Sequence, residues 1–130
     1  MPPAPVWLDE TDILVLHDRL LALHGGATGL RDSALLHSAL ARPKNAAAYG
    51  DAHDIVGMAA ALTAGIVKNH PFLDGNKRTG FVAGILFLEL NGHRFTAAED
   101  ATAEAVLALA DSTIDEAGYA AFLRANVTRA

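Results

Sequence analysis

Residues 68–81 read KNHPFLDGNKRTGF and lie between two apolar stretches that are each long enough to form a helix. Pro71 is expected to end the first helix, and Gly75 permits a tight turn into the second. This segment therefore predicts a helix–loop–helix junction, with helices over residues 54–69 and 76–91. The loop between them concentrates His, Asp, Asn, Lys and Arg side chains in a chain that is otherwise rich in Ala, Leu, Val and Gly.

The whole sequence favours an all-α fold of about six helices, packed helix against helix. Four further helices are predicted over residues 9–24, 32–42, 98–109 and 115–124, the first from Ile13, Leu16, Leu20 and Leu23 at helical spacing. The expected helix caps are Asp9 or Thr11, Asp32 or Ser33, and Asp54. Pro43 is predicted to follow the end of the second helix, and residues 43–54 are predicted to form a loop that includes Tyr49 and His53.

The fourth helix is predicted to be the buried, central one, because residues 81–90 leave it apolar on nearly every side. Asn91 and Gly92 then provide a C-terminal stop. The segment HRFT, residues 93–96, is expected to be briefly extended. Trp7 and Tyr49 are interpreted as packing residues.

Composition limits the possible functions. The chain has 130 residues, of which 52% are hydrophobic and 19% charged, as expected for a single domain over residues 1–130. The net charge is −5 and no long basic run exists, which argues against general nucleic-acid binding. Cysteine is absent, which excludes disulfides and thiolate chemistry. With neither a signal-peptide pattern nor a membrane-spanning segment, a cytoplasmic protein without a membrane partner is expected.

The loop has the features of a phosphate-binding site. The first N–H groups of a helix lack intrahelical acceptors and attract anions. Here Gly75 precedes that helix start, and the basic residues Lys77 and Arg78 follow it. An arginine can bind phosphate oxygens bidentately, and a lysine adds a point charge. The spacing therefore predicts an anion site at the start of this helix, with Lys77 and Arg78 as its basic side chains.

Two further side chains suggest group transfer. Asp74 precedes the turn, and one carboxylate beside a phosphate suits Mg²⁺. His70 lies across the loop, where an imidazole can accept a proton from an attacking hydroxyl. Phe72, between them, is expected to point into the core. Each feature alone has a simpler interpretation, such as a helix-dipole partner, a turn or a solvated charged face. Their order at one helix start favours a functional site.

The stretch HPFLDGNKR, residues 70–78, resembles the Fic/Doc family signature H-P-F-x-[D/E]-G-N-[G/K]-R at every signature position. GLRDSALLHSALARP, residues 29–43, and LELNGHRF, residues 88–95, are similar to the death-on-curing toxins of that family. The resemblance implies a compact Fic/Doc helical domain with ATP as substrate and Mg²⁺ as cofactor. It also implies roles for the motif residues: His70 as general base, Phe72 as loop anchor, Asp74 as Mg²⁺ ligand, Gly75, Asn76, Lys77 and Thr79 as the anion-binding turn, and Arg78 as the residue holding a terminal phosphate.

Lys77 decides which group the resemblance predicts to be transferred. AMP-transferring Fic enzymes usually have Gly at this position, whereas the death-on-curing subgroup has Lys and binds the nucleotide in the reverse sense. The prediction is therefore a Ser/Thr protein kinase that modifies a translation elongation factor. Two alternatives remain open. One is a protein adenylyltransferase, and the other is a non-enzymatic module that occludes a translation factor or the ribosome.

Regulation and target binding complete the sequence-based predictions. STIDEA, residues 112–117, is the nearest string to the inhibitory [S/T]-x-x-x-E-[G/N] helix of many Fic enzymes, but Ala117 departs from it. Glu116 is instead expected in the first turn of the last helix, and a separate antitoxin is predicted. Arg31 either shapes a target-docking edge or is solvated. His17, His24 and His37 are spaced unlike metal ligands, so surface or core roles are expected.

Overall fold

A computed structural model describes residues 4–49 and 54–130. Within these residues it contains six α-helices and one two-stranded sheet, so the all-α prediction is confirmed. The elements are α1 (Glu10–His24), α2 (Ser33–Tyr49), α3 (Ile55–Asn69), α4 (Asn76–Leu90), β1 (His93–Phe95), α5 (Glu99–Ala110), α6 (Glu116–Ala125) and β2 (Val127–Arg129). The predictions for His53 and for the side chain of Tyr49 lie outside the described residues.

Aspartate side chains begin four of these helices. Asp9, Asp54 and Asp115 each accept a hydrogen bond from the backbone N–H three residues later. Asp32 accepts from two N–H groups at the start of α2. Because the first N–H groups of a helix have no intrahelical acceptor, these caps fix where each helix starts. The expected caps Asp9, Asp32 and Asp54 are confirmed.

The predicted end of the second helix is wrong. α2 continues through Pro43 to Tyr49, where a loop was expected. A proline inside a helix removes one hydrogen bond and crowds the preceding turn, at about 3 kcal/mol. Two features offset this: Pro43 is buried, and the following residues 46–48 are alanines, the strongest helix formers. Ala47 packs against the core, so the second half of α2 contributes to the interior.

The central helix is α3 and not α4, which corrects the prediction. Residues 56–67 of α3 are all buried, and the helix contacts α2, α4, α5 and α6. Its sequence in this range has no charged residue and is mostly small side chains, which lets neighbouring helices approach on every side. A Cβ on Gly80 of α4 would lie 2.9 Å from Val67 Cγ2. α4 instead exposes Lys77, Arg78 and Glu89, which places it at the edge of the interior.

The short sheet joins the end of the chain to the residues that follow α4. β1 and β2 pair antiparallel, with His93 opposite Arg129 and Phe95 opposite Val127. The extended conformation expected for HRFT is confirmed, but its partner strand was not predicted. Trp7 stacks on Phe87 with ring centroids 5.7 Å apart, in agreement with its predicted packing role. No helix within the described ranges has the length and hydrophobicity needed to cross a membrane.

Candidate active site

A pocket of about 470 Å³ opens between the motif loop, the start of α4 and one face of α5. It brings together most of the residues predicted from the sequence. Its lining comprises His70, Asp74, Gly75, Asn76, Lys77 and Arg78 from the loop and α4, together with Phe81, Glu99, Ala103, Val106 and Leu107. One wall is thus polar and mostly basic, and the wall from α5 is mostly apolar. A ligand with a charged end and an apolar end matches this division.

His70 is held in an uncommon backbone conformation at the end of α3. Its φ is 55° and its ψ is 53°, in the left-handed region, and its N–H donates to the Ile66 carbonyl at 3.1 Å. This conformation costs a non-glycine residue on the order of 1–2 kcal/mol, so its surroundings must hold it. The imidazole is exposed at the pocket wall, where a hydroxyl group can reach it.

Arg31 holds the backbone of His70. Its Nε donates to the His70 carbonyl at 2.7 Å, and its Nη2 donates to the Asn69 carbonyl at 2.9 Å. The backbone N–H groups of Arg31 and Asp32 both donate to the Pro71 carbonyl, at 2.6 and 3.0 Å. The guanidinium therefore binds carbonyls at the end of α3, although Arg31 is also exposed, as the solvated alternative expected. A role for Arg31 in target docking stays a prediction.

Phe72 anchors the loop, and Asn76 closes it. The Phe72 side chain is fully buried, as expected. The Asn76 side chain is 2% exposed and binds the backbone of Phe72 at both of its polar atoms, each at 2.9 Å. Since this amide is used within the loop, only the backbone N–H of Asn76 is available to an anion.

The N-terminus of α4 faces the pocket. Gly75 has a φ of 78°, a left-handed turn that glycine adopts without strain. The Thr79 N–H is bonded to the Gly75 carbonyl at 2.9 Å, and the three N–H groups before it lie in the first helical turn. Lys77 and Arg78 are exposed beside them. Thr79, by contrast, is fully buried and is not brought to the pocket wall.

The Asp74 carboxylate is fixed from two sides. Oδ1 accepts from the Gly75 N–H at 2.8 Å, and Oδ2 accepts from the Ala27 N–H at 3.2 Å. Among the described residues, no group of three or more His, Asp or Glu side chains could enclose a metal ion. A divalent cation at Asp74 would thus have one protein carboxylate. That donor set fits Mg²⁺, which readily completes its coordination with phosphate oxygens and waters.

Comparison with known proteins agrees with this geometry. The sequence model of the Fic/DOC family matches residues 7–88, which include α1, the motif loop and most of α4. The chain belongs to the Fic/DOC family. Toxin Doc of Mycolicibacterium smegmatis is 40% identical over 93 residues, which are 70% of this chain and 68% of that relative. Protein kinase doc of Escherichia phage P1 is 30% identical over 85 residues, 65% of this chain and 68% of the phage protein.

The buried side of this Fic/DOC loop includes a residue that the sequence analysis did not connect to the site. His17 on α1 is 2% exposed and stacks on Phe72, with ring centroids 3.8 Å apart and planes within 9°. Its Nε2 lies 2.8 Å from the Asp74 carbonyl oxygen. A core role was among those expected, but the contact was not. The available signal was the i, i+4, i+8 spacing of Ile13, His17 and Leu21, the buried face of α1.

The last helix does not place an inhibitory glutamate in the Fic/DOC pocket. Glu116 lies in the first turn of α6, as predicted, and forms an ion pair with Arg42. Both residues border a separate, smaller pocket of about 250 Å³, together with Lys68 and Ser112. Arg78 lines the larger pocket, so Glu116 is engaged elsewhere.

Proposed function

We propose that this protein is a Doc-type toxin that transfers the γ-phosphoryl group of ATP to a Ser or Thr hydroxyl of a translation elongation factor. The observation that carries the proposal is the convergence of His70, Asp74, Lys77 and Arg78 on one pocket at the N-terminus of α4. Support also comes from the two relatives, one named a Doc toxin and the other a Doc protein kinase. Modification of the factor would stop translation.

Each residue has a defined part in the proposed reaction. Arg78, Lys77 and the first N–H groups of α4 bind phosphate oxygens and hold the nucleotide. His70 accepts the proton of the target hydroxyl as its oxygen bonds to the γ-phosphorus. The bond from that phosphorus to the bridging oxygen breaks, and ADP leaves. Mg²⁺, bound by Asp74 and phosphate oxygens, would neutralise charge on the phosphates.

Lys77 supports phosphoryl over adenylyl transfer. Its side chain is exposed at the pocket wall and adds bulk and positive charge where AMP-transferring Fic enzymes usually have glycine. A nucleotide that avoids this bulk would enter in the reverse sense and present its γ-phosphate to His70. Adenylylation is the outcome to be distinguished, because both reactions would use the same base and the same arginine.

A separate antitoxin is proposed to control the activity. Glu116, the nearest counterpart of an inhibitory glutamate, is paired with Arg42. A protein that inhibits from outside would have to cover the pocket, whose rim includes the half-exposed apolar residue Leu107 as well as Lys77 and Arg78. A segment that folds on binding, with acidic and apolar side chains, matches this rim.

The deciding experiment uses ATP labelled in either the γ- or the α-phosphate, with Mg²⁺ and purified elongation factors. Label from the γ position, and the mass of one phosphoryl group on the target, are expected. Label from the α position would instead establish adenylylation.

Variants distinguish catalysis from occlusion. His70→Ala and Arg78→Ala are expected to abolish both labelling and toxicity while the proteins stay folded. His37→Ala is the matched control, because His37 is an exposed histidine that pairs with Glu10 away from the pocket. Toxicity retained in His70→Ala would support a non-enzymatic module that occludes its target.

A further inference from the structure

His17 lies beneath the motif loop with both its ring face and one ring nitrogen in contact with loop residues. The ring stacks on Phe72, and Nε2 is 2.8 Å from the Asp74 carbonyl oxygen. A carbonyl oxygen only accepts hydrogen bonds, so Nε2 must carry the hydrogen and donate it. Burial of a polar ring is unfavourable unless it is hydrogen-bonded. The bond to Asp74 thus supplies the reason for a histidine at a position that an apolar side chain could fill.

This hydrogen bond fixes the peptide group between Asp74 and Gly75. The described residues contain no cis peptide bond, so the C=O and N–H of this group point in opposite directions. With the carbonyl directed at His17, the Gly75 N–H is directed away from α1, where it donates to Asp74 Oδ1 at 2.8 Å. The His17 side chain on α1 therefore sets the direction of the Gly75 N–H, which in turn holds the Asp74 carboxylate.

The other carboxylate oxygen is held by the chain that leaves α1. The Ala27 N–H donates to Asp74 Oδ2 at 3.2 Å, and a Cβ on Gly26 would lie only 2.8 Å from the same oxygen. Each carboxylate oxygen accepts one of these bonds, which leaves further lone pairs for a ligand. The carboxylate is thus oriented by α1 and its following loop, although it belongs to the loop between α3 and α4.

We propose that His17 is a positioning residue, which orients the Asp74 carboxylate and so sets the affinity of the pocket for a divalent cation. The inference rests on the proposed function for the cation at Asp74. Groups that orient a metal ligand from outside typically change metal affinity by about 10–100-fold when removed. If His17 were only a structural residue, its substitution would lower the stability of the protein. It would change the affinity for the cation no more than substitution of another core residue does.

Three variants separate positioning from packing. His17→Phe keeps the aromatic stack on Phe72 and removes the donor, whereas His17→Gln keeps a donor and removes the stack. His17→Leu takes the place of the Phe variant if that protein does not fold. Ile13→Ala is the control, because Ile13 is fully buried one turn earlier on the same face of α1 and has no side-chain donor.

The first measurement needs no ligand. Amide hydrogen exchange at Gly75, followed by NMR in the free protein, is expected to be about tenfold faster in His17→Phe and close to wild type in His17→Gln, following the loss of one hydrogen bond. The second measurement is Mn²⁺ affinity in the presence of ATP, followed by electron paramagnetic resonance. The dissociation constant is expected to rise at least about tenfold in His17→Phe and to be restored to within about threefold in His17→Gln.

Several results would overturn the inference. These are unchanged Gly75 exchange and Mn²⁺ affinity in His17→Phe, an equal loss in Ile13→Ala, or no Mn²⁺ binding by the wild-type protein with ATP. Failure of the proposed function would give a different set of results. If the wild-type protein transferred no group from ATP while the His17 variants still changed Gly75 exchange and Mn²⁺ affinity as expected, the positioning role would stand and the proposed reaction would not.

Discussion

Asn76 and Phe72 are joined by two hydrogen bonds that close the motif loop on itself. Asn76 Nδ2 donates to the Phe72 carbonyl, and Asn76 Oδ1 accepts from the Phe72 N–H, both at 2.9 Å. The Phe72 ring is fully buried against His17, so this pair of bonds ties the loop to the interior. The asparagine of the signature can thus act by holding the loop in its conformation, as well as through any direct contact with a phosphate.

Asn76→Asp should destabilise the fold, because it retains one acceptor but turns a carboxylate oxygen toward the Phe72 carbonyl. A loss of about 2–3 kcal/mol in the free energy of unfolding is expected, measured by urea denaturation. Asn126→Asp is the control, since Asn126 Nδ2 makes a single bond to the Phe122 carbonyl away from the pocket. Equal losses in the two variants would contradict the paired role of Asn76.

Gly26→Ala should weaken cation binding at Asp74. The added Cβ would lie 2.8 Å from Asp74 Oδ2 and would have to displace it. Gly25→Ala is the matched control, because Gly25 also has a positive φ, of 79°, but its added Cβ would meet nothing within 4 Å. Both variants should lose about 1–3 kcal/mol of stability through backbone strain. Only Gly26→Ala should raise the Mn²⁺ dissociation constant, by about tenfold; a similar rise in Gly25→Ala would refute the contact.

Arg31→Ala should lower kcat, because the His70 and Asn69 carbonyls lose their donors and the proposed base, His70, is no longer held in place. A reduction of about tenfold is expected in steady-state phosphoryl transfer, with KM for the target protein unchanged. The docking role predicted from the sequence gives the opposite result, a raised KM for the target with kcat retained. Arg19→Ala, on the exposed face of α1, controls for the loss of one surface charge.

Glu116→Ala should leave transferase activity at the wild-type level, because Glu116 pairs with Arg42 outside the active pocket. Both side chains are partly exposed, so the free energy of unfolding should fall by no more than about 1 kcal/mol. Activity would be measured without an antitoxin present. A large rise in activity would show that α6 inhibits the enzyme, as the corresponding glutamate does in many Fic enzymes.

Tyr119→Phe should remove part of the alkaline instability of the protein. Burial raises the pKa of the Tyr119 phenol from 10.0 to about 12, and no hydrogen bond within the described residues stabilises the phenolate. The unfolded chain therefore loses this proton first, and stability that is present below pH 10 is lost as the pH rises toward 12. The wild-type free energy of unfolding should fall faster than that of Tyr119→Phe in this range, by up to about 1.4 kcal/mol per pH unit. Parallel curves would contradict this.

Local sequence signals predicted most of the helices, because capping and apolar spacing act over a few residues. Asp9, Asp32 and Asp54 fix helix starts through bonds to N–H groups within three positions. The errors arose where distant contacts decide. Pro43 lies within α2, where its own side chain is buried, and β2 forms because its partner β1 is available. α3 is the central helix because four other helices pack around it. The spacing of apolar residues within one segment does not predict such packing.

The features of the site also divide into those that local sequence predicted and those that depend on distant residues. One contiguous motif placed His70, Asp74, Lys77 and Arg78 in order at a helix start, and the fold brings them to one pocket. What holds them comes from elsewhere in the chain, including the donors of His17 and Arg31. The apolar wall from α5 was likewise not predicted, because its residues follow the motif by more than twenty positions and share no local pattern with it.

The burial of α3 on all sides has a consequence for how the protein folds. A helix with one apolar stripe can be covered by a single partner, but residues 56–67 are covered only when α2, α4, α5 and α6 are all present. The interior must therefore assemble cooperatively, and unfolding should be a single transition in which the motif loop and the core are lost together. Chains cut between α4 and α6 would expose α3, which makes them poor candidates for independently folding fragments and good ones for aggregation.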